Sequence, residues 1–211
     1  MNIIFEGVNG AGKSTIIKEL VKIMEKNNMD VKYVDDLDIS TPTFPALAEM
    51  FKNSPFLEMK KEFNTSLVES LILAADYHYL KDMLKDLTGY KIYDRDFFTT
   101  LVYQSYFLEK YYNDLELVKL FKNILLYDPK KIDLIIYVDI SFEESLKRTE
   151  RRDNRTFTDE EKDILKYFIS KLKEEVKNYS VEKNVPLLII NGQDNTVENA
   201  ELVYNKIREV G

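Results

Sequence analysis

Short apolar runs alternate with longer segments in which apolar residues recur every three or four positions, and this alternation fills the chain. Asn2-Ile3-Ile4-Phe5 is the first run and reads as a buried strand. After Thr15, the residues Ile16, Ile17, Leu20, Val21 and Met24 keep helical spacing. Val31-Lys32-Tyr33-Val34 is a second strand, ending in Asp35-Asp36-Leu37-Asp38. Thr41-Pro42-Thr43-Phe44-Pro45 reads as a loop entering a helix, and a second breaker at Ser54-Pro55 opens a long helical stretch. Within that stretch Leu67, Leu71, Ala74, Ala75, His78 and Leu84 form an apolar face predicted to pack on the sheet. Thr88-Gly89 stops it, and Tyr90-Lys91-Ile92-Tyr93 is a third strand ending at Asp94-Arg95. Two aromatic-rich helices follow, Phe97 to Tyr112 and Leu115 to Leu126, with a break at Asp128-Pro129. Ile132 to Val138 is the strongest strand. Ser141 with Glu144 three residues later is a capping-box pattern opening a helix from Phe142 to about Arg152. A charged bend comes next, and Thr158 caps a long helix running to about Tyr179. Val185 to Ile190 is the last strand and Val197 to Ile207 the last helix.

Strands that alternate with helices predict an α/β fold, here a single doubly wound parallel five-stranded sheet flanked by helices. The pattern shows no repeat, low-complexity segment or linker, so one domain over residues 1–211 is expected. A net charge of −7 supplies no global basic field, which argues against a nucleic-acid-coating protein; any phosphate binding has to be local. With no cysteine, disulfides and thiolate metal sites are excluded, and the lone histidine, His78, leaves no basis for a histidine metal site or a Ser-His-Asp triad. The apolar stretches are strand-length, so no membrane span or signal peptide is expected and the cytoplasm is the default address.

Between the first strand and the first helix lies Gly7-Val8-Asn9-Gly10-Ala11-Gly12-Lys13-Ser14-Thr15, which fits G-x-x-x-x-G-K-[ST], the phosphate-binding P-loop. Its glycines let the backbone come close to a polyphosphate, and successive N–H groups at a helix N-terminus face the phosphate oxygens. The segment Asn9, Gly10, Ala11, Gly12, Lys13, Ser14 and Thr15 is therefore expected to cradle ATP, with Lys13 on the β- and γ-phosphates and the Ser14 hydroxyl on Mg²⁺. In open α/β sheets ligands sit at the carboxyl ends of the strands. Besides the P-loop, those ends carry Asp35, Asp36 and Asp38, then Asp94-Arg95, Asp139, and Asn191-Gly192. Asp94 can hold the metal or its waters while a fixed Arg95 guanidinium clamps a second phosphate; the bland alternative is an exposed ion pair. Asp139 is a rival metal acid, for which a helix-capping role is preferred. Arg148, Arg151, Arg152 and Arg155 fall at i, i+3, i+4 and i+7 and share one face if the helix continues. Four arginines leading into a bend suit a mobile lid, about residues 148–157, over transferring phosphates.

These motifs resemble those of the thymidylate kinase family over nearly the whole chain. Phe5 to Thr15 is similar to the family's opening segment, and Asp94-Arg95-Asp96-Phe97-Phe98-Thr99-Thr100-Leu101-Val102-Tyr103-Gln104 to its D-R-[FYH]-x-x-S-[ST]-x-A-Y-Q segment. Glu69-Ser70-Leu71-Ile72-Leu73-Ala74-Ala75 is similar to its E-L-L-L-F-A-A helix. The resemblance implies an ATP- and Mg²⁺-dependent nucleoside monophosphate kinase. Lys13 and the lid arginines Arg148 and Arg152 would stabilise the transferring phosphoryl group, and Ser14 with Asp94 would serve the metal. Arg95 would hold the acceptor's phosphate, with Arg155 also on the acceptor side, and Gln104 would face the acceptor base. Phe98, with Phe97 and Tyr103, is a candidate to stack on that base; helical spacing equally suits a core position. A homodimer through the long helices is a further implication.

The departures from the family pattern cluster on the acceptor side. Asn9 stands in place of an acid in the P-loop, Leu73 in place of the phenylalanine that stacks on thymine, and Tyr77 in place of a base-contacting arginine. The second strand ends in Asp35-Asp36-Leu37-Asp38 where the family carries R-E-P. A carboxylate 4 Å from a phosphate costs roughly 4 kcal/mol per unit charge at an effective dielectric of 20. Asp36 or its neighbours would suit a 5′-hydroxyl acceptor instead, as general base of a deoxynucleoside kinase; solvated turn residues are the plain alternative. A GTPase is discounted, since the nearest string to N-K-x-D is Asn205-Lys206-Ile207-Arg208. A catalytically inactive nucleotide-binding protein of the same fold is the remaining alternative. Intact Lys13, Ser14, Asp94 and Arg95 weigh against it.

Overall fold

The hydrophobic runs that read as strands do form strands, and all five align parallel in one sheet. In the computed structural model the described residues are 1–34, 41–43, 45–46, 63–127 and 130–211. The sheet is built from β1 (Asn2–Glu6), β2 (Val31–Val34), β3 (Tyr90–Asp94), β4 (Leu134–Asp139) and β5 (Leu187–Asn191), in the order β2-β3-β1-β4-β5. β1 lies at the centre, with Ile4 opposite Tyr93 on one side and Ile135 on the other. Ile3, Ile4 and Phe5 are fully buried, as expected of a parallel strand covered on both faces. β5 begins two residues later than its apolar run because Pro186 has no N–H to give; its carbonyl instead accepts from the Ile135 amide.

Among the described residues seven helices accompany the sheet: α1 (Lys13–Lys26), α2 (Phe63–Leu84), α3 (Phe97–Tyr112), α4 (Leu115–Leu125), α5 (Phe142–Asp153), α6 (Asp159–Lys183) and α7 (Thr196–Val210). They fall into two compact units, Met1–Asp36 with Thr88–Asp96 and Lys131–Gly211, and Leu37–Leu87 with Phe97–Lys130. In the first, the crossover through α1 runs from β1 toward β2, whereas α5 and α6 join β4 to β5 in the opposite direction. Right-handed crossovers therefore place α1 on one face and α5 with α6 on the other. The connections diverge at the β1/β4 boundary, which is the topological switch point where such sheets bind ligands. α6 buries Ile164, Leu165, Phe168, Leu172 and Val176, and the Tyr137 hydroxyl on β4 reaches its Ile169 carbonyl at 3.4 Å. Both the charged bend and the cap read at Thr158 are present. Thr158 and Glu161 form a reciprocal capping box, and α6 runs one turn beyond Tyr179 to a left-handed Asn184. The box at Ser141 is only half made, because the Glu144 carboxylate is drawn to Arg148 and Lys147.

In the second unit α2, α3 and α4 pack on one another. The apolar face predicted for α2 is only partly right: Ala74 and Leu84 are buried and the rest of it is not. Leu71 is 45 % exposed and Ala75 and His78 are not buried, while Glu69, Ser70, Leu73, Ala74, Asp76, Tyr77, Leu80 and Leu84 are. The buried face is thus rotated by roughly a third of a turn from the expected one. The reason is a lack of contrast. α2 is apolar on nearly every side, so spacing alone selects no face, and the polar groups that go inside do so because partners meet them. Asp76, for one, accepts from the Thr43 hydroxyl. Asp35, Asp36 and Asp38, and the breakers at Ser54-Pro55 and Asp128-Pro129, lie outside the described residues.

Thr158→Ala should remove one arm of the capping box and cost about 1 kcal/mol, lowering the melting temperature of a chain this size by roughly 2–4 °C. An unchanged melt would mean the cap contributes nothing to the stability of α6.

Candidate active site

The P-loop takes its shape from three glycines that no other residue replaces without strain. Gly7, Gly10 and Gly12 have φ of 147°, 75° and 96°, and a Cβ on Gly7 would stand 2.6 Å from the Val138 carbonyl of β4. Gly12 is the left-handed residue that turns the chain into α1. Lys13, the first residue of that helix, is buried and folds back over the loop, donating to the carbonyls of Gly7 at 2.7 Å and Val8 at 3.2 Å. Ala11 is buried, with its amide on the Val8 carbonyl, and Ser14 and Thr15 are exposed at the helix start.

β3 delivers the second half of the site. The Ser14 hydroxyl donates to Asp94 Oδ2 at 2.5 Å, and the Tyr33 hydroxyl approaches the same oxygen at 3.4 Å. Asp94 is 3 % exposed, and its Oδ1 is buried without a hydrogen-bond partner among the described residues. Arg95 follows at φ 73°, a left-handed conformation that costs a residue with a Cβ about 1–2 kcal/mol. Its contacts there include an amide that donates to the Phe5 carbonyl at 2.9 Å and a guanidinium that donates to Asn9 Oδ1 at 2.5 Å. Glu6, fully buried at the end of β1, accepts the Asp96 amide at 2.9 Å and locks the same corner. Strain over-determined by its surroundings is characteristic of functional positions. Glu6 and Tyr33 were missed in sequence; an acid closing an apolar strand just before the P-loop was the available signal.

β4 and α5 close the far side. Asp139 caps nothing: Ser141 is the N-cap of α5, and Asp139 accepts from Lys173 at 2.5 Å. Ser145 donates to the Asn9 carbonyl at 2.8 Å, and Arg148 donates through Nη1 to the carbonyls of Gly10 and Gly192, at 3.2 and 2.9 Å. The Nε of Arg148 holds Glu144 at 2.8 Å, and that hydrogen bond keeps the Glu144 carboxyl below its usual range. Gly192 in turn packs so tightly on the Ala11 carbonyl that a side chain has no room.

The four arginines do not share one face. α5 ends at Asp153, because Asn154 adopts φ 50° and takes the chain out of the helix. Arg148 and Arg152 stay one turn apart on the same side as Ser145 and Thr149, with Arg152 on Asp153 at 2.6 Å. Arg151 instead lines a separate cavity of about 560 Å³ with Lys147, Asn154 and Arg155. Arg155 donates to Glu161 at 2.7 Å and lies over the Phe157 ring, 4.6 Å from its centre. Its Nε and Nη2 are buried without hydrogen-bond partners among the described residues.

The residues expected on the acceptor side stand in the second unit, apart from Arg95, Arg155 and the undescribed Asp36. Leu73 and Tyr77 lie one turn apart on the buried face of α2. Phe97 and Phe98 are buried on α3 and stack on each other at 4.1 Å, with Tyr77 edge-on to Phe97 at 6.1 Å. Gln104 is buried, donating to Glu69 at 3.1 Å and accepting from Ser70 at 2.9 Å.

The family model for thymidylate kinase matches residues 5–200. The chain belongs to the thymidylate kinase family. A probable thymidylate kinase of Methanobrevibacter smithii is 28 % identical over 176 residues, covering 82 % of this chain and 77 % of that protein. The thymidylate kinase of Prochlorococcus marinus is 28 % identical over 211 residues, covering 98 % and 93 %. Among solved structures, a deoxyadenosine kinase from M. mycoides with bound dATP superposes with a TM-score of 0.68 at 19 % identity, over 99 % of this chain and all of that one. At that identity the last match speaks for the P-loop kinase fold.

Membership makes the chain an enzyme of the nucleoside monophosphate kinase type, and nucleotide phosphoryl transfer is its chemistry. The site's donors fit the divalent metal such transfer uses. A buried carboxylate oxygen without a partner stands beside the Ser14 hydroxyl, and magnesium takes one or two such oxygens together with waters and phosphates. Among the described residues no three His, Asp or Glu side chains gather into an all-protein cage.

If Arg95 is strained for function, Arg95→Gly should be more stable than Arg95→Ala by about 1 kcal/mol, while both lose most of the activity. Equal stabilities in urea melts would remove the strain argument.

Proposed function

We propose that this kinase transfers the γ-phosphoryl group of Mg²⁺-ATP to a nucleoside 5′-monophosphate, dTMP or a related pyrimidine deoxynucleotide, releasing ADP. The Asp94–Arg95 corner carries this reading: a carboxylate bound to the P-loop serine is followed at once by a guanidinium held in a strained pose beside the loop. An oxygen of the acceptor's phosphate attacks the γ-phosphorus as the bond to the β-phosphate's bridging oxygen breaks. Lys13 is released from its loop carbonyls to the β- and γ-phosphates, and loop N–H groups take the charge that develops. Ser14 and Asp94 would hold the magnesium ion, which supplies charge neutralisation at the phosphates. Arg95 fixes the acceptor's phosphate, and Gln104 faces its base.

The lid in this reading begins later than the arginine run. Ser145 and Arg148 bind the P-loop backbone, so closure belongs to the segment from Arg151 through Thr158, carrying Arg152 and Arg155. Closure excludes water and limits ATP hydrolysis. The exposed stripe Val68, Leu71, Tyr79 and Met83 along α2 supports pairing with a second copy through that helix. No described helix is long and apolar enough to cross a membrane, and the reaction is assigned to the cytoplasm, where ATP is supplied.

One observation favours a second reading. Asp35, Asp36 and Asp38 close β2's segment of sequence, and a carboxylate there suits deprotonation of a 5′-hydroxyl. ADP release measured across nucleosides paired with their 5′-monophosphates separates the two. Turnover confined to monophosphates is expected, and turnover confined to nucleosides would move the protein to the kinases of that class. Asp94→Asn should lower kcat at least a hundredfold and raise the Mg²⁺ concentration needed for half-activity. Wild-type Mg²⁺ dependence in that variant would take the metal away from Asp94.

A further inference from the structure

Away from the P-loop, the second unit holds a buried polar cluster in which three side chains fix one another. Glu69, Ser70 and Gln104 are 3 %, 0 % and 2 % exposed. Gln104 Nε2 donates to Glu69 Oε1 at 3.1 Å, and its Oε1 accepts from the Ser70 hydroxyl at 2.9 Å. A glutamine amide alone is ambiguous, since its oxygen and nitrogen exchange places on a half-turn of χ3. Here the partners differ in kind. A carboxylate takes a hydrogen bond from the NH₂ end, and a flipped amide would set carbonyl oxygen against carboxylate oxygen in a buried site. Glu69 shares its line of α2 with Leu73 and Tyr77, four and eight residues on, both buried. The locked amide and the two altered acceptor positions thus stand on one helix pairing, α2 on α3.

We propose that Glu69 and Ser70 are specificity-positioning residues, which set the acceptor base that the enzyme prefers by fixing the orientation of Gln104. This rests on the reading that Gln104 faces that base. After its two bonds the amide keeps one N–H and one oxygen lone pair, in an order that the lock does not let reverse. The pairing edges of keto and amino bases carry donor and acceptor in opposite orders: N3–H beside a carbonyl in thymine and uracil, bare N3 beside an amine in cytosine. A fixed amide complements one order and leaves an unpaired buried group against the other. An amide free to flip serves both. Specificity of this origin needs no contact between Glu69 or Ser70 and the acceptor.

Glu69→Gln is the decisive variant, because an amide at position 69 can donate or accept and so permits Gln104 to turn over. The measurement is kcat/KM, with kcat and KM resolved, for dTMP against dCMP at saturating Mg²⁺-ATP. The ratio should shrink about tenfold in Glu69→Gln, the size of one unpaired buried hydrogen bond, through a lower KM for the disfavoured base and little change in kcat. Ser70→Ala, which keeps the charge of the cluster, should shrink the ratio less, and Ser70→Thr should restore it. A ratio unchanged in Glu69→Gln and in Ser70→Ala, with both proteins folded, overturns the lock; should Glu69→Gln fail to fold, the Ser70 pair alone decides. If the wild-type enzyme prefers a nucleoside or a purine, the monophosphate or pyrimidine reading falls. The lock is then read from the ratio for the preferred substrate and its keto or amino counterpart, by calorimetric binding where there is no turnover. Equal binding of both, or of neither, by the wild type also overturns it.

Discussion

A hydroxyl proton links the P-loop to the end of β3. The Ser14 hydroxyl, on the first turn of α1, donates to Asp94 at the end of β3, and the neighbouring strand pairing places those residues side by side. Parallel register matters here. β1 and β3 pair so that Phe5 stands opposite Asp94, which lets the P-loop leave β1 at the height where the β3 carboxylate and its following arginine emerge. Arg95 then turns into a left-handed conformation, and its amide closes on the Phe5 carbonyl. Glu6 satisfies the next amide from beneath. A shift of register by one residue would point Asp94 into the opposite face and take the Asp96 amide away from the buried Glu6.

The same logic fixes what can move. Hydrogen bonds from Ser145 and Arg148 to the carbonyls of Asn9, Gly10 and Gly192 make the first two turns of α5 a wall of the P-loop. Beyond Asn154 the chain is held differently, by Arg155 on Glu161, the residue that also caps α6 through Thr158. An arginine bound to a cap can exchange that carboxylate for a phosphate without unfolding a helix. An arginine bound to three groups around the loop cannot leave without loosening the loop itself. Arg148 is therefore tied to the P-loop backbone, whereas Arg152 and Arg155 are bonded to the carboxylates of Asp153 and Glu161.

Much of this was legible in the chain. Parallel strands buried on both faces read as unbroken apolar runs, so β1 and β4 stood out, and the P-loop is legible because only glycine serves at three of its positions. Caps at Ser141 and Thr158 were legible because a small oxygen-bearing side chain before a charged first turn has one local use. What could not be read was set by tertiary partners. Counting i, i+3, i+4 and i+7 places four arginines together only while the helix lasts, and one left-handed asparagine ends it. Ser145 looks like any helix serine until the Asn9 carbonyl meets it. Glu6 looks like a strand terminus until β3 supplies an amide.

α2 is the sharpest case, and it bears on the acceptor. Its sequence is apolar around nearly the whole helix, so the hydrophobic effect by itself is close to indifferent about which side goes inside. Polar groups break that tie. Burying Glu69, Ser70 and Asp76 is tolerable only in the rotation where Gln104 and Thr43 meet them, since an unmet buried polar group costs about 1–3 kcal/mol each. In another rotation those groups would turn toward water or other neighbours, and the bonds to Gln104 and Thr43 would be lost. The polar cluster therefore selects the face, and in doing so brings Leu73 and Tyr77 to the buried side and sends Leu71 and Tyr79 outward. The residues buried on this face of the helix are thus also the residues that hold Gln104, so the second unit cannot change the partners of that amide without disturbing its own packing.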